Sequence, residues 1–327
     1  MLKRSKSNLF KRHEAALILG RGFPHQSSGM CRPSEASAEI QTKSGPIVVG
    51  GGCNRKLWYR FKGYPQEGDS LPHQIQRANV GKAVEEAVIE TAKREGLYVG
   101  NNIPFRVVMD EVPIAGEIDA VFRTSPCGGD IYAVEIKSIY GYYATKEAFG
   151  RAIKAGKQLG KPKDSYIMQI ALYLNHFSRL PEDDPSYIPF GAIFICDRGD
   201  GHFGVYDVWL EEETRFLGED ESVQVHRIFY SSDHLGVPRT VLPYTIEDIL
   251  YRFRTVLSAL DGDNPPEQDH ILEYNKEQVE KKYEAGLISS SAYKKWVSSH
   301  SPKGKGKEKL GDWHCRYCPY TTRCWNL

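Results

Sequence analysis

The chain is short of several things that would place it in a class at once. Its 327 residues contain no apolar run of the ~18 or more needed to cross a bilayer. The opening MLKRSKSNLFKRHEAALILG is basic, and its apolar run is too short for a secretory signal. Arg-rich, acid-poor starts also occur in organelle presequences, but Glu14 and the continuing basic character argue against one. The expectation is a soluble protein of the cytoplasm with no membrane partner. Neither sign of charge is in excess: 43 Lys and Arg face 42 Asp and Glu, a formal net charge of +1. Any surface for a polyanion must therefore come from local clustering. No internal repeat is visible.

What is present in number is cysteine. In a reducing compartment the seven cysteines are expected as thiols or metal ligands rather than disulfides. Four lie towards the two ends: Cys53 alone, then Cys315, Cys318 and Cys324 spaced C-x2-C-x5-C. Four thiolates suit zinc and an iron-sulfur cluster alike. His314 next to Cys315 would permit zinc held by three cysteines and a histidine, but that leaves Cys53 without a role. Ligation by Cys53 and the distal three closes a loop of roughly 270 residues and removes several kcal/mol of chain freedom, so the first role expected is a structural clasp. Cys31 and Cys127 fall in expected loops, and Cys196 reads as a small core residue beside a strand.

Patterning divides the rest. Residues 1–50 join a basic head to a Ser/Gly/Pro-rich stretch and read as a partly disordered arm, followed by a single domain over 51–327. The stripe Val80, Ala83, Val84, Ala87, Val88, Ala92 predicts a helix over 76–95 that ends at Gly96. Short β-branched and aromatic runs at 105–109, 115–122 and 131–139 predict a strand meander. A second helix is expected over 164–180 with Asp164 as its N-cap. Strands at 191–195 and 203–210, helices at 247–260 and 276–285, and a Lys/Gly linker over 298–310 complete the expectation.

Within the meander, Glu135 and Lys137 are two apart and share a strand face, with Val134 and Ile136 on the other; Asp119 stands in the preceding strand. Two carboxylates beside a lysine suit a hard cation such as Mg²⁺ or Mn²⁺. Phosphodiester hydrolysis needs an activated water, neutralised phosphoryl oxygens and a positioned cation, and this trio offers all three. An isolated E-x-K is equally an ordinary exposed ion pair. The context adds Gly81-Lys-Ala-Val-Glu85-Glu86 on the first helix, Gly116-Glu-Ile-Asp119 before Glu135-Ile-Lys137, and Gln169-x-x-x-Tyr173 on one face of the second helix.

This ordered set resembles the PD-(D/E)XK nuclease superfamily, in particular the RecB-like exonucleases with an iron-sulfur cluster, which include CRISPR-adaptation nucleases and phage-encoded relatives. The resemblance runs from Cys53 to Cys324. It implies an α/β, restriction-endonuclease-like core with a mixed central sheet flanked by helices, and a helical Cys-rich cap joining both termini. It implies a metal-dependent DNA exonuclease in which Asp119, Glu135, Lys137, Gln169 and Tyr173 form the catalytic set. Mg²⁺ or Mn²⁺ would be held by Glu85, Asp119, Glu135 and the backbone carbonyl of Ile136. Glu85 departs from the histidine of many relatives, which puts metal preference in doubt; Glu86 is its neighbour, and Glu117 stands two residues from Asp119. Cys53, Cys315, Cys318 and Cys324 would hold a 4Fe-4S cluster. The alternative is a non-catalytic or zinc-clamped DNA-binding subunit of a larger complex.

Between Lys137 and Gln169, Tyr140, Tyr142 and Tyr143 lead into Arg151, Lys154 and Lys157. Aromatics among cations suit single-stranded DNA or DNA ends, whose bases need stacking platforms and whose phosphates need charge. A solvated lysine-rich helix with core tyrosines fits the same letters. Partner proteins of recombination, repair or CRISPR complexes, in a bacterial or phage-infected cell, complete what the resemblance implies.

Overall fold

Hairpin-forming alternation and two amphipathic helices generate most of the architecture. The computed structural model describes residues 29–41, 47–67, 72–153, 156–216, 221–301 and 308–326. In chain order, a 3-10 turn (Pro33–Glu35) precedes β1 (Ser37–Gln41), β2 (Ile47–Gly51), α1 (Asn54–Phe61) and α2 (Pro72–Arg94). The strands β3 (Tyr98–Met109), β4 (Val112–Ser125) and β5 (Gly128–Ile139) follow. Next come α3 (Tyr142–Phe149), β6 (Arg151–Ile153), β7 (Gly156–Gln158), α4 (Asp164–Phe177) and β8 (Phe190–Asp197). Then β9 (Phe203–Phe216), β10 (Ser222–Ser232) and β11 (Val237–Thr245) lead to α5 (Ile246–Ser258). Last among the described residues are α6 (Lys276–Glu284), α7 (Ser290–Ser299), α8 (Trp313–Arg316) and α9 (Thr321–Trp325). None of the described helices is long and apolar enough to cross a membrane.

The chain divides into two compact units, one of residues 1–36 and 68–250, the other of residues 37–67 and 251–327. The first is built on a mixed sheet whose seven described strands run β11-β10-β9-β8-β5-β4-β3. Neighbours are antiparallel except β5 and β8, which are parallel from Tyr132↔Phe190 to Ile139↔Asp197. A parallel pair needs a crossover, and α4 lies in that connection and packs on β5, β8 and β9. On the other face α2 meets β3, β4 and β5, so the sheet is flanked by helices.

Side-chain alternation assigns the two faces. Val134 and Ile136 join Ala120, Phe122 and Ala192 in a buried cluster with Ile89 and Ala92 of α2. Residues of β5 with the opposite parity, Ala133, Glu135 and Lys137, therefore turn towards α4. The first helix ends as its sequence indicates: Gly96, at φ +71, donates to Lys93 O (3.1 Å), and Leu97 donates to Ala92 O (2.8 Å). That is the paired Schellman arrangement, with Leu97 packed on the same apolar cluster.

Several expectations need correction. Lys163, not Asp164, occupies the N-cap of α4. Asp164 is the first helical residue, accepting the Tyr244 hydroxyl (3.1 Å) and pairing with Lys161 (2.8 Å). No element was expected between 140 and 163, where the described residues form α3 and the β6–β7 hairpin. The expected arm contains a 3-10 turn and the β1–β2 hairpin, in register from Ser37↔Gly51 to Gln41↔Ile47; its residues 1–28 and 42–46 lie outside the described ones. No strand was expected at 222–245, where β10 and β11 pair with two register shifts that blur the alternation.

The second unit centres on a buried Arg252, which donates to Ser37 Oγ (2.9 Å) and pairs with Asp269 (2.7 Å) and Glu39 (3.3 Å). Asp269 also accepts the Asn54 amide (2.7 Å), and the Trp58 indole donates to Ala259 O (2.9 Å). A small separate core of Tyr274, Val279 and Trp296 ties α6 to α7.

Candidate active site and cysteine cluster

The β4–β5 ladder reaches the pair Ala120↔Val134 and there gives way to a side chain. Asp119 Oδ2 accepts the Ile136 N–H (2.8 Å), doing the work of a missing ladder carbonyl. Glu135, fully buried at 0% exposure, stands beside it. The Lys137 ammonium donates to Glu135 Oε1, while Oε2 is buried with no hydrogen-bond partner. An unsatisfied buried carboxylate oxygen is costly and asks for a function. Burial pushes the Glu135 carboxyl up to about 8; the Lys137 charge opposes that shift and the Asp119 charge adds to it. Burial pulls Lys137 down, but the charges of Glu135 and Asp119 outweigh it and leave the ammonium above its ordinary value.

Helix α4 supplies the other wall. Gln169 Nε2 donates to the Tyr173 hydroxyl (3.3 Å), which in turn donates to the Glu117 carbonyl (2.7 Å). Tyr173 thus holds the backbone of β4 two residues before Asp119. Burial, with the Glu135 charge, raises its hydroxyl well above the ordinary tyrosine range, so it stays a donor. Gly116 has a steric reason: a Cβ there would lie 2.9 Å from Pro33 Cδ and 3.3 Å from the Tyr173 hydroxyl. Only a residue without a side chain lets the Pro33 turn and Tyr173 close over β4.

Glu85 stands half-buried on α2, whereas Glu86 is exposed. Burial and then the Asp119 charge raise the Glu85 carboxyl, with Lys82 and Lys137 pulling against them. Glu85 is thus the carboxylate of that pair that faces the trio electrostatically. Glu117 is exposed and contributes its carbonyl. Ile136 takes part through its N–H to Asp119. Tyr166 was not foreseen: its ring lies 5.4 Å from the Lys137 ammonium, one helical turn before Gln169. That i, i+3 spacing was available in the sequence.

Among the described residues no three His, Cys, Asp or Glu groups are arranged to hold a metal ion. The fit to a cation rests instead on donor chemistry. Asp119 Oδ2 is spent on an amide and Glu135 Oε1 on Lys137, but Glu135 Oε2 keeps its full acceptor capacity. Once ionised, an oxygen with no proton donor suits Mg²⁺ or Mn²⁺.

Beyond the end of β5, Tyr140, Tyr142 and Tyr143 are 70%, 63% and 82% exposed. The Arg198 guanidinium lies 5.7 Å from the Tyr140 ring centre, and Lys146 donates to the Tyr142 hydroxyl. Helix α3, which carries two of these rings, is held at both ends: Thr145 donates to the buried Asp197, and Tyr206 donates to Ala148 O (2.5 Å). Arg151 is exposed and donates to Gln158 Oε1 (2.7 Å). Lys154 and the Lys157 side chain lie outside the described residues.

In the second unit, Cys53 is the N-cap of α1 without a side-chain capping hydrogen bond, and the nearby backbone N–H groups of Lys56 and Arg55 favour its thiolate. Burial, followed by the Asp269 charge, pushes its thiol up to about 12, and Cys318 adds to the shift. Cys315 is pushed up to about 11 by burial, with Asp312, Cys324 and Cys318 contributing. Cys318 is raised by burial and by Cys324. Cys53, Cys315 and Cys318 thus each lie within the field of at least one other of the four thiols. Donors face them as well: the Tyr320 N–H to Cys318, the Trp325 indole to Cys315, and Arg55 to Cys324 Sγ (3.8 Å). Burial and neighbouring charge keep Cys53, Cys315 and Cys318 from ionising, and N–H donors face the sulfurs, a setting in which a bound cation would stabilise thiolates. Glu67 anchors the cysteine-rich segment by accepting the amides of Thr322 (2.7 Å) and Arg323 (2.8 Å).

No protein-family model and no curated protein matches the chain. Among solved structures it is similar to the crystal structure of SSO0001, over 98% of both chains, with 12% identity and a TM-score of 0.40. A likeness that weak carries no argument about function.

Proposed function

We propose that the chain is a Mg²⁺- or Mn²⁺-dependent DNA exonuclease of the PD-(D/E)XK superfamily, RecB-like, stabilised by a 4Fe-4S cluster. The observation that carries the reading is Glu135: a fully buried carboxylate paired with Lys137 through one oxygen, with the other left unpartnered. The element order supports it, with α2, the antiparallel meander β3-β4-β5, crossover helix α4, and β8 parallel to β5.

Asp119 and Glu135, with Glu85, are the groups that would hold the divalent ion. When bound, such an ion supplies an activated water and neutralises phosphoryl oxygens. Lys137 meets the charge that develops on the phosphoryl group, as its raised affinity for a proton allows. Tyr173 and Gln169 keep Asp119 in place through the Glu117 carbonyl. Because burial holds Glu135 protonated up to about pH 8, occupancy by a cation there releases a proton. Tyr140, Tyr142 and Tyr143, exposed beside Arg198 and Lys146, suit the bases of single strands or frayed ends. Cys53, Cys315, Cys318 and Cys324 would hold the cluster, with a structural role. The setting proposed is the cytoplasm, acting on DNA within a recombination, repair or CRISPR process.

A zinc-clamped, non-catalytic DNA-binding subunit is the second reading, since four thiolates suit zinc as well as an iron-sulfur cluster. Digestion of end-labelled single and double strands by anaerobically purified protein with Mg²⁺ or Mn²⁺ decides between them. Glu135→Ala is expected to lower cleavage by about a thousandfold while leaving DNA binding intact. Full activity in a purified, folded Glu135→Ala protein overturns the assignment. A brown preparation containing iron supports the cluster, and a colourless one with stoichiometric zinc refutes it.

A further inference from the structure

The first unit contains a second polar recess at the C-terminal end of α4, a cleft of about 600 Å³ that none of the catalytic reading uses. Its apolar wall comes from Met109 on β3, Leu180 after α4, and Ile246 and Leu250 on α5. Two features of this recess demand a ligand. Asn175, only 6% exposed, lines it; one amide atom meets Met109 Sδ (3.3 Å), and Oδ1 is buried with no hydrogen-bond partner. Buried amides are paired in nearly all folded proteins.

The second is Arg179 at the same recess, which has no carboxylate partner among the described residues. Its Nη2 contacts His226 Nε2 (2.5 Å) instead. His226 is held from behind by Glu247, whose Oε1 lies 2.7 Å from Nδ1 and whose Oε2 accepts the His226 amide (3.0 Å). Glu247 thus fixes the plane of the ring, and Arg179 Nη2 lies against both ring nitrogens, 2.5 Å from Nε2 and 3.0 Å from Nδ1. The chain Glu247–His226–Arg179 orients a guanidinium without neutralising it. Other charged groups near this network are Asp110, which also lines the cleft, and Glu212, 3.4 Å from His226 Nε2.

An amide oxygen without a partner, an apolar wall and an oriented guanidinium with no carboxylate in direct contact complement one ligand class. The amide oxygen wants a donor, such as the exocyclic amino group of a base; the wall wants a flat ring; the guanidinium wants an anion. The volume suits a small molecule and is too small for a folded domain or a duplex. We propose that this cleft binds a nucleotide, with the base edge on the Asn175 amide, the ring on the Met109–Leu180–Ile246 wall, and the phosphate on Arg179. The proposal does not depend on the nuclease reading.

Calorimetric titration of the full chain with AMP, dAMP, adenosine and inorganic phosphate tests it. Saturable binding of AMP or dAMP is expected, weaker binding of adenosine, and none of phosphate alone. Arg179→Met, at an exposed position, should weaken AMP about tenfold or more and leave adenosine unchanged. Asn175→Leu should weaken AMP and adenosine alike; should that buried change prevent folding, Leu180→Trp fills the cleft instead with the same expected loss. Glu135→Gln should leave AMP affinity unchanged. The proposal is overturned by no saturable binding of AMP or dAMP up to about 5 mM. It is equally overturned by phosphate binding as well as AMP, or by affinity that survives Arg179→Met but falls in Glu135→Gln.

Discussion

The carboxylate site of the first unit and the cysteine site of the second are assembled by opposite routes. Asp119, Glu135, Lys137, Gln169 and Tyr173 lie in one continuous stretch, on two paired strands and the crossover helix that follows. Pleat and helical period alone place them on facing surfaces, so little loop closure is needed to form the site. The cysteines come from residue 53 and from residues 315–324, and only tertiary contacts join those segments. The Glu67 carboxylate takes the amides of Thr322 and Arg323, the Glu67 N–H reaches Pro319 O (2.6 Å), and Tyr59 packs on Tyr320 with ring centres 5.4 Å apart. A locally built site can afford a costly buried charge, because neighbouring ladder bonds already order its backbone. A site built from distant segments must supply some of the binding energy that orders it.

That contrast predicts which unit fails first when its site is damaged. Cys53→Ser should cost the second unit about 3 kcal/mol or more and raise its protease sensitivity, with loss of the proposed cluster's iron read by metal analysis. The same substitution should leave the hydrogen-exchange protection of β4 and β5 unchanged; equal loss in both units would break the comparison. Gly116→Ala should destabilise the first unit by about 2 kcal/mol, since the new methyl meets the Pro33 ring and the Tyr173 hydroxyl, and its melting temperature reports it.

Smaller effects sharpen the account of the buried charge. Glu135 has a folded value of about 8, above the unfolded value of 4.5. Its stability contribution is therefore fully present below pH 4.5 and is lost as pH rises through about 8. Glu135→Gln, which cannot ionise, should match the parent near pH 4 and gain on it steadily as pH rises from 4.5 to about 8, measured in chelator. A difference that does not change with pH would remove burial as the cause. Smallest is Tyr143→Ala: at 82% exposure the ring supports no core, so melting should be unchanged. Affinity for single-stranded DNA should fall about three- to tenfold with duplex affinity unaltered, as fluorescence anisotropy would show.

Legibility in the sequence followed the same division. The placement of Glu135 and Lys137 on one strand face, of Gln169 and Tyr173 on one helical face, and the helix stop at Gly96 were all readable, because each rests on local period or backbone chirality. Asp119 was readable as a strand residue, but not its bond to the Ile136 amide, which depends on where the β4–β5 ladder ends. The strands β10 and β11 escaped notice because register shifts between them break the alternation. Helix α3 was hidden in a stretch dominated by lysine, glycine and tyrosine, and its seat on Asp197 and Tyr206 involves partners far along the chain.

By itself the amino-acid order determined the alternation that makes a mixed sheet with flanking helices, and which side chains share a face, since both follow from distances of a few residues. Only the tertiary structure decided that Pro33 closes over Gly116, and that Asn175 and Arg179 meet His226 and Glu247 around one cleft. Those relations depend on strand order and on the crossover between β5 and β8, which bring together residues that no local period connects.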